Sequence, residues 1–411
     1  MTVIRTTPDP DVPAAPGGGA ALVGRLRTAA LSWWTLVATV PLLAGALYWS
    51  WIRLLDYALD LDIYRIGVQV WLAGGDMYGT LPPPLHGPVL PFIYPTFAAI
   101  TMVPLAVVPY PVAFTAQFVA SVLSLAVCIA LSIRVAWPAG RWRAPVVLGV
   151  PVLAAALLME PVAQTFAFGQ INLVLMLLVL ADLLAPRTVW PRGLLLGLAA
   201  AIKLTPGGFV LFFLVRRDWK AAAVSVVTGI VATGIGFLVD ADSSYRYWFV
   251  GGPAAGVSGS TFFSNETVQA VLARQEVPDP WFHVLWLGIV AVLLALAVPI
   301  IRRTEPVIAM AATAAVVLMA TPTAWSHHWV WVVPALVGAV LAAIFYIAPF
   351  RWMPNVWGVE VKWSLWEQFL GASYVIPAAI CLGLGCWYVT RGPGRPGGPQ
   401  APRPERLCVG S

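Results

Sequence analysis

Three carboxylates stand close together in a chain that carries few charges. Asp56, Asp60 and Asp62 fall within seven residues, whereas only 10% of all residues are charged. A positioned carboxylate can act as a general base and take a proton from an attacking hydroxyl. Asp60 and Asp62 would share one face of a strand but diverge by about 200° on a helix. On a helix, only one of them would therefore point at a site. The alternative is a solvated loop whose acids face water.

Other polar groups stand within apolar sequence. Lys203 precedes a helix-breaking Thr205-Pro206 pair, and Gln170 and Asn172 open an apolar run. An isolated ammonium in such a position either binds an anion such as phosphate or extends to the lipid headgroups. The two amides could recognise a sugar or a phosphate, cap a helix or form hydrogen bonds between helices.

A pair of histidines, His327 and His328, stands between Trp325 and Trp329. Adjacent side chains point in different directions on a helix, and the chain has no H-E-x-x-H pattern, so we expect neither a metal nor another cofactor. One histidine could face a phosphate or a sugar. The alternative is an aromatic belt at the membrane interface that carries incidental histidines.

Apolar helices must position these groups. The chain has 411 residues, is 60% hydrophobic and has a mean hydropathy of +0.84, whereas soluble domains are about half apolar and a quarter charged. Apolar runs of about 17 to 25 residues can span a bilayer as helices, which satisfy their own backbone groups. We therefore predict an all-α polytopic membrane protein with about ten to twelve transmembrane helices. The cysteines are predicted to be packing residues: Cys128, Cys381, Cys386 and Cys408.

The charge distribution predicts the topology. The net charge is +6, but the basic residues cluster at helix ends, which is typical of cytoplasmic anchoring and gives no reason to expect a nucleic-acid partner. Arg25 and Arg27 precede the first apolar run, 31–52, so we expect a cytoplasmic N-terminus and an external Asp run. Composition predicts three regions: a disordered cytoplasmic N-terminus at 1–27, a membrane domain at 28–390, and a disordered basic tail at 391–411.

Two long external segments are predicted, at about 53–91 and 240–280. Within the first, residues 63–72 are amphipathic and predict a helix lying at the membrane surface. The second is predicted to be non-helical and to lie on the same side as the Asp run. Basic residues flank one apolar segment on both sides, which predicts a re-entrant or broken helix with its tip near Lys203.

The ordered set of motifs resembles glycosyltransferase family 87. The resemblance covers roughly 31–347 and depends on these motifs: Asp60-Leu61-Asp62-Ile63-Tyr64, Gly74-Gly75-Asp76-Met77-Tyr78, Tyr94-Pro95-Thr96, Gly169-Gln170-Ile171-Asn172, Lys203-Leu204-Thr205-Pro206, Asn265-Glu266-Thr267 with Arg274, and Ser326-His327-His328-Trp329. Members of this family are actinobacterial membrane mannosyltransferases of the GT-C superfamily that use polyprenyl-phosphate-mannose.

The resemblance implies a GT-C fold in the plasma membrane, with an external, periplasmic active site and a donor that enters from the bilayer. The first Asp of the family pattern falls on Asp60, which is the implied base. The family's late-loop histidine falls on His327 or His328, and which of the two acts stays open. The implied substrate-binding residues are Asp62, Tyr64, Tyr94, Gln170, Asn172, Lys203, Asn265 and Arg274.

The implied reaction is transfer of mannose, with inversion, to a phosphatidylinositol mannoside or lipomannan, forming an α-1,2 linkage. Such a displacement needs one base and a stabilised leaving phosphate; Lys203, Arg274 and a histidine could supply the stabilising charge. A second catalytic carboxylate of the glycosidase kind is not required. The alternatives are another lipid-linked sugar transferase, such as an arabinosyltransferase, and a transporter or flippase, although the inverted repeats of transporters are not evident.

Overall fold

The computed structural model describes residues 32–140, 142–250, 256, 259–334, 339–355 and 358–391. Regular structure in these residues is helical, with one isolated β-bridge between Asn265 and Trp325. The predicted disordered N-terminus and the tail beyond Arg391 lie outside the described residues. Cys128, Cys381 and Cys386 are free thiols. Cys128 is buried, as expected of a packing residue, Cys386 is half-buried and Cys381 is exposed, and Cys408 is outside the described residues.

Seventeen α-helices follow one another along the described chain: α1 (Trp33–Tyr57), α2 (Leu59–Leu72), α3 (Thr96–Val107), α4 (Tyr110–Ala136), α5 (Arg143–Leu158), α6 (Glu160–Phe168), α7 (Asn172–Leu184), α8 (Leu194–Ile202), α9 (Val210–Val215), α10 (Trp219–Val239), α11 (Ala241–Phe249), α12 (Val268–Arg274), α13 (Trp281–Arg303), α14 (Pro306–Ala320), α15 (Ala339–Ile347), α16 (Leu365–Gly371) and α17 (Val375–Arg391). Short 3-10 segments lie between some of them: Pro138–Gly140, Thr205–Phe209, Ser326–Val332, Pro349–Trp352 and Glu360–Lys362.

Within the described residues, four helices are long and apolar enough to cross a bilayer: α1, α4, α10 and α13. Two bent pairs, α5 with α6 at 71° and α16 with α17 at 68°, raise the number to six. The prediction of an all-α multi-pass membrane protein is confirmed, but long crossings are fewer than predicted. Apolar runs such as α3, with 12 residues, cover only about 18 Å of a hydrocarbon layer near 30 Å.

The first half of the segment predicted as the first external loop is helical. Helix α1 continues through Arg53 to Tyr57, and α2 begins one residue later, after Ala58. The amphipathic helix predicted at 63–72 exists as part of α2. It is packed inside the protein, however, because its apolar side, with Tyr64 and Val68, is fully buried against other helices.

The prediction that 240–280 is non-helical was wrong, because α11 and α12 lie within it. Both helices have side-chain N-caps that satisfy free backbone N–H groups. Asp240 accepts a hydrogen bond from the Ser243 amide at 3.0 Å, and Thr267 accepts one from the Ala270 amide at 3.0 Å. The caps therefore define two short helices where glycines and serines favoured a loop.

The start of the 240–280 segment contacts residues that follow the Asp run. The Trp71 indole donates a hydrogen bond to Asp240 at 2.9 Å, and Arg246 pairs with Asp76 at 2.7 Å. Helix α11 therefore lies against the end of α2 and the turn that follows it.

The predicted helix break at Lys203 is also confirmed. Helix α8 ends at Ile202, and Lys203 has extended backbone angles, φ −145° and ψ 126°. Pro206, inside the following 3-10 segment, has no N–H and disfavours helix in the residue before it. The break turns Lys203 out of the regular helical register.

A close backbone contact positions the start of α2. Ala58, between α1 and α2, and Gly169, between α6 and α7, both have left-handed angles, with φ of 32° and 69°. A Cβ atom at Gly169 would lie 2.8 Å from the Cβ of Leu61. The α6–α7 turn can therefore approach α2 this closely only with glycine.

We expect Gly169→Ala to lower the thermal unfolding temperature of the purified protein. A left-handed alanine costs about 1–2 kcal/mol, and its methyl group would also meet Leu61. Gly149→Ala is the matched control, because Gly149 lies within α5 with no atom near its Cβ position. There, alanine is favoured over glycine by up to about 1 kcal/mol. Equal unfolding temperatures for the two variants would contradict the packing argument.

Candidate active site

Asp60 stands in the first turn of α2 with a partly exposed side chain. The side-chain amide of Gln170 donates a hydrogen bond to it, and Lys203 is close enough to interact with it electrostatically. Yet no ion pair joins Asp60 to Lys203, both of which the structure describes. The carboxylate and the ammonium therefore act on each other electrostatically without forming an ion pair.

The surroundings of Asp60 alter its acidity. Burial raises the pKa of the Asp60 carboxyl above its usual range, and the Gln170 hydrogen bond and the Lys203 charge oppose this rise. A general base is most effective when its pKa lies near the working pH. The raised pKa therefore makes Asp60 a stronger base than an exposed aspartate.

Gln170 is the centre of a hydrogen-bond network beside this carboxylate. Its Oε1 accepts hydrogen bonds from the Tyr64 hydroxyl at 2.8 Å and the Tyr94 hydroxyl at 3.4 Å, and the two hydroxyls are 2.9 Å apart. Its backbone carbonyl accepts from the buried Gln117 amide at 2.9 Å. Because Oε1 binds the tyrosines, the NH₂ group of Gln170 is left to donate to Asp60. Sequence reasoning missed Gln117.

Lys203 points into the protein. Its ammonium donates to Asn172 Oδ1 at 2.9 Å, lies 3.1 Å from His328 Nε2 and is 5.6 Å from the centre of the Tyr94 ring. The structure therefore brings together four residues predicted from scattered motifs, and Lys203 does not extend to the headgroups. Asn172, Lys203 and His328 also line one small cavity.

The two histidines diverge, as their adjacency predicted. The ring planes cross at 85°, and the His327 ring packs against Phe168 with centroids 5.2 Å apart. The carbonyl of His327 accepts hydrogen bonds from Asn172 at 3.0 Å and Thr165 at 3.1 Å. The side chain of His328 contacts Lys203, whereas His327 contributes its backbone.

Asp62 makes its contacts away from this cluster. It is buried, and its Oδ2 accepts a hydrogen bond from the Leu85 amide at 3.1 Å and lies 3.7 Å from His86 Nδ1. Asp62 thus fastens the proline-rich segment that precedes Leu85 onto α2. The geometry gives it a structural contact in place of the substrate contact that the resemblance implied.

Asn265 and Arg274 also make their hydrogen bonds elsewhere. The Asn265 side chain joins the Ser260 carbonyl at 2.8 Å to the Ala324 amide at 2.9 Å, just before the histidine segment. The fully buried Arg274 guanidinium donates to backbone carbonyls only: those of Thr261, Phe262, Phe263, Asn265 and Gly371. These donors are engaged by the fold, so the geometry gives no support to a phosphate contact by Arg274.

Glu160 is a buried residue that sequence reasoning missed. Its Oε1 accepts from the Ser326 hydroxyl at 2.9 Å and from Arg351 at 3.0 Å, and its Oε2 accepts from the Tyr374 hydroxyl at 2.9 Å. It therefore fixes the start of the histidine segment to the C-terminal part of the chain. A lone carboxylate within apolar sequence is the signal that could have found it.

The fold and site define a multi-pass helical membrane protein in which a carboxylate and an ammonium lie near each other without forming an ion pair. Residues 92–322 match the model for glycosyltransferase family 87. Two similar proteins are both described as a polyprenol-phosphate-mannose-dependent alpha-(1-2)-phosphatidylinositol mannoside mannosyltransferase. That of Mycobacterium tuberculosis is 34% identical over 401 residues, covering 88% of this chain and 91% of the relative. That of Mycolicibacterium smegmatis is 36% identical over 376 residues, covering 81% and 85%.

The chain belongs to glycosyltransferase family 87, and the resemblance found in the motifs is confirmed. Among solved structures, ArnT from Cupriavidus metallidurans bound to undecaprenyl phosphate matches with a TM-score of 0.41 and 14% identity. That match covers 84% of this chain and 76% of ArnT.

Proposed function

We propose that this protein transfers mannose from polyprenyl-phosphate-mannose to a phosphatidylinositol mannoside and forms an α-1,2 linkage. Two relatives that are named for this activity align with more than four fifths of the chain. The observation that carries the proposal is that the Asp60 carboxyl, with its raised pKa, and the Lys203 ammonium act on each other electrostatically without forming an ion pair. A base on one side and a cation on the other is the arrangement that attack at a sugar–phosphate bond requires.

In the proposed reaction, Asp60 takes the proton of the acceptor hydroxyl as the hydroxyl oxygen attacks the anomeric carbon of mannose. The bond between that carbon and the phosphate oxygen breaks, and the phosphate leaves with the bonding electrons. Lys203 stabilises the negative charge that develops on it. A β-linked donor then gives an α-linked product by inversion.

The neighbours of Lys203 support this role. An ammonium has three N–H donors, and Asn172 and His328 account for two of them among the described residues. The third N–H is thereby available to a phosphate oxygen. We assign His328 to the site on this contact, as a residue that orients the ammonium, and His327 to the support of Asn172.

The proposal includes the location of the reaction. Basic residues precede α1, and the positive-inside rule then places the N-terminus in the cytoplasm and Asp60 on the outer side of the plasma membrane. A GT-C architecture, which the family resemblance implies, is part of the same proposal. On this arrangement the lipid-linked donor reaches Lys203 from the bilayer.

We expect Asp60→Asn to reduce mannose transfer by roughly 10² to 10⁴-fold, the usual contribution of a general base. The assay uses purified protein, polyprenyl-phosphate-mannose and a phosphatidylinositol mannoside. Asp56→Asn, the same substitution at an exposed residue of the same polar run, should leave transfer unchanged. Transfer by Asp60→Asn at the wild-type rate would show that Asp60 is not the base.

The dependence of kcat on pH should show an acid limb set by Asp60. The base must be deprotonated, so activity falls as pH drops through the raised pKa of this carboxyl. Lys203→Gln removes a positive charge that lowers this pKa, and the acid limb should therefore move to higher pH. The same variant should lose roughly 10² to 10³-fold in kcat with the phosphate contact. An acid limb that stays in place, or moves to lower pH, would contradict the electrostatic coupling of Asp60 and Lys203.

A further inference from the structure

Two arginines outside the Asp60 cluster converge on one amide of α6. With the Gln164 amide oriented so that its oxygen faces both guanidiniums, it accepts from Arg53 at 3.2 Å and from Arg351 at 2.8 Å. Gln164 is buried, at 8% exposure, whereas the Arg351 side chain is 41% exposed and Arg53 is partly exposed. A ligand can therefore reach both guanidiniums from outside.

The cluster carries more positive than negative charge. Glu160 pairs with Arg351 at 3.0 Å, but its oxygens also accept from Ser326 and Tyr374. No carboxylate of the described chain forms an ion pair with Arg53, whose guanidinium lies 5.3 Å from the Trp49 ring centre. Like charges this close repel one another unless an anion joins them.

We propose that Arg53 and Arg351 bind the phosphodiester of the acceptor glycolipid; this rests on the proposed function. Guanidiniums match phosphate with pairs of parallel N–H donors. Both retain donors that Gln164 and Glu160 do not use, since these hydrogen bonds involve Nη2 of Arg53 and Nη1 of Arg351.

The position of Arg53 favours the acceptor over the donor. Lys203 already supplies a cation for the leaving phosphate of the donor. Arg53 lies five residues before Ala58, roughly 7 Å along α1 from the turn that presents Asp60, and towards the apolar body of the helix. An acceptor with its sugar hydroxyl at Asp60 and its acyl chains in the bilayer would hold its phosphodiester between the two.

The first test measures KM separately for donor and acceptor. Arg53→Gln should raise the KM for a phosphatidylinositol mannoside roughly tenfold or more, the usual effect of losing a charged hydrogen bond. It should leave unchanged the KM for the donor and for octyl α-mannoside, an acceptor without phosphate. Arg53→Lys should restore part of the loss. A rise for the donor instead, or an equal rise for both acceptors, would overturn the proposal.

A second test measures binding without turnover. Purified wild-type protein should bind dioctanoyl-phosphatidylinositol more tightly than dioctanoylglycerol, and Arg53→Gln should lose that preference. Arg134→Gln, at the exposed end of α4, is the matched control and should keep it. Arg53 is tested because Arg351 also neutralises the buried Glu160. An unchanged preference in Arg53→Gln would overturn the site, whereas an Arg53-dependent preference in a protein that transfers no mannose would overturn only the proposed function.

Discussion

The ammonium of Lys203, held among apolar helices, is the constraint on which the site depends. A charge in such surroundings is stable only with partners that replace water. Here they come from three separate elements: Asn172 at the start of α7, His328 in a 3-10 segment, and Tyr94 ahead of α3. Each partner is positioned in turn by backbone contacts of its own. Satisfying one cation thus brings together residues that are far apart in the chain.

Asp60 and Lys203 form no ion pair within the described residues, although each acts on the other electrostatically. Gln170 connects their surroundings: it stabilises the charged form of Asp60, and its oxygen accepts a hydrogen bond from Tyr94, whose ring lies against Lys203. The left-handed residues Ala58 and Gly169 set how closely α2, which carries Asp60, approaches the turn that carries Gln170. An ion pair between Asp60 and Lys203 would engage both charges with each other instead of with a substrate.

Much of this site could be predicted from the sequence, because polar groups within apolar runs are few. Lys203, Gln170, Asn172 and a histidine stood out, and the helix break at Lys203 followed from charge and proline alone. The residues that sequence reasoning missed or assigned differently make their contacts with distant segments of the chain. The sequence does not show that Arg274 donates its hydrogen bonds to backbone carbonyls, or that Glu160 accepts one from Ser326. Neither contact is marked by a pattern in the neighbouring residues. The helices within 240–280 were not predicted, although Asp240 and Thr267 are residue types that commonly cap helices.

The Glu160 contacts limit how this protein can be divided. The family match ends at residue 322, yet the carboxylate that holds Ser326 also needs Arg351 and Tyr374 from beyond it. Without those partners a buried carboxylate would stand beside the histidine segment with only a serine to bind. The C-terminal helices therefore cannot be exchanged independently of Glu160. A chimaera that replaced them with the corresponding helices of a relative would have to keep both Arg351 and Tyr374 as partners of Glu160.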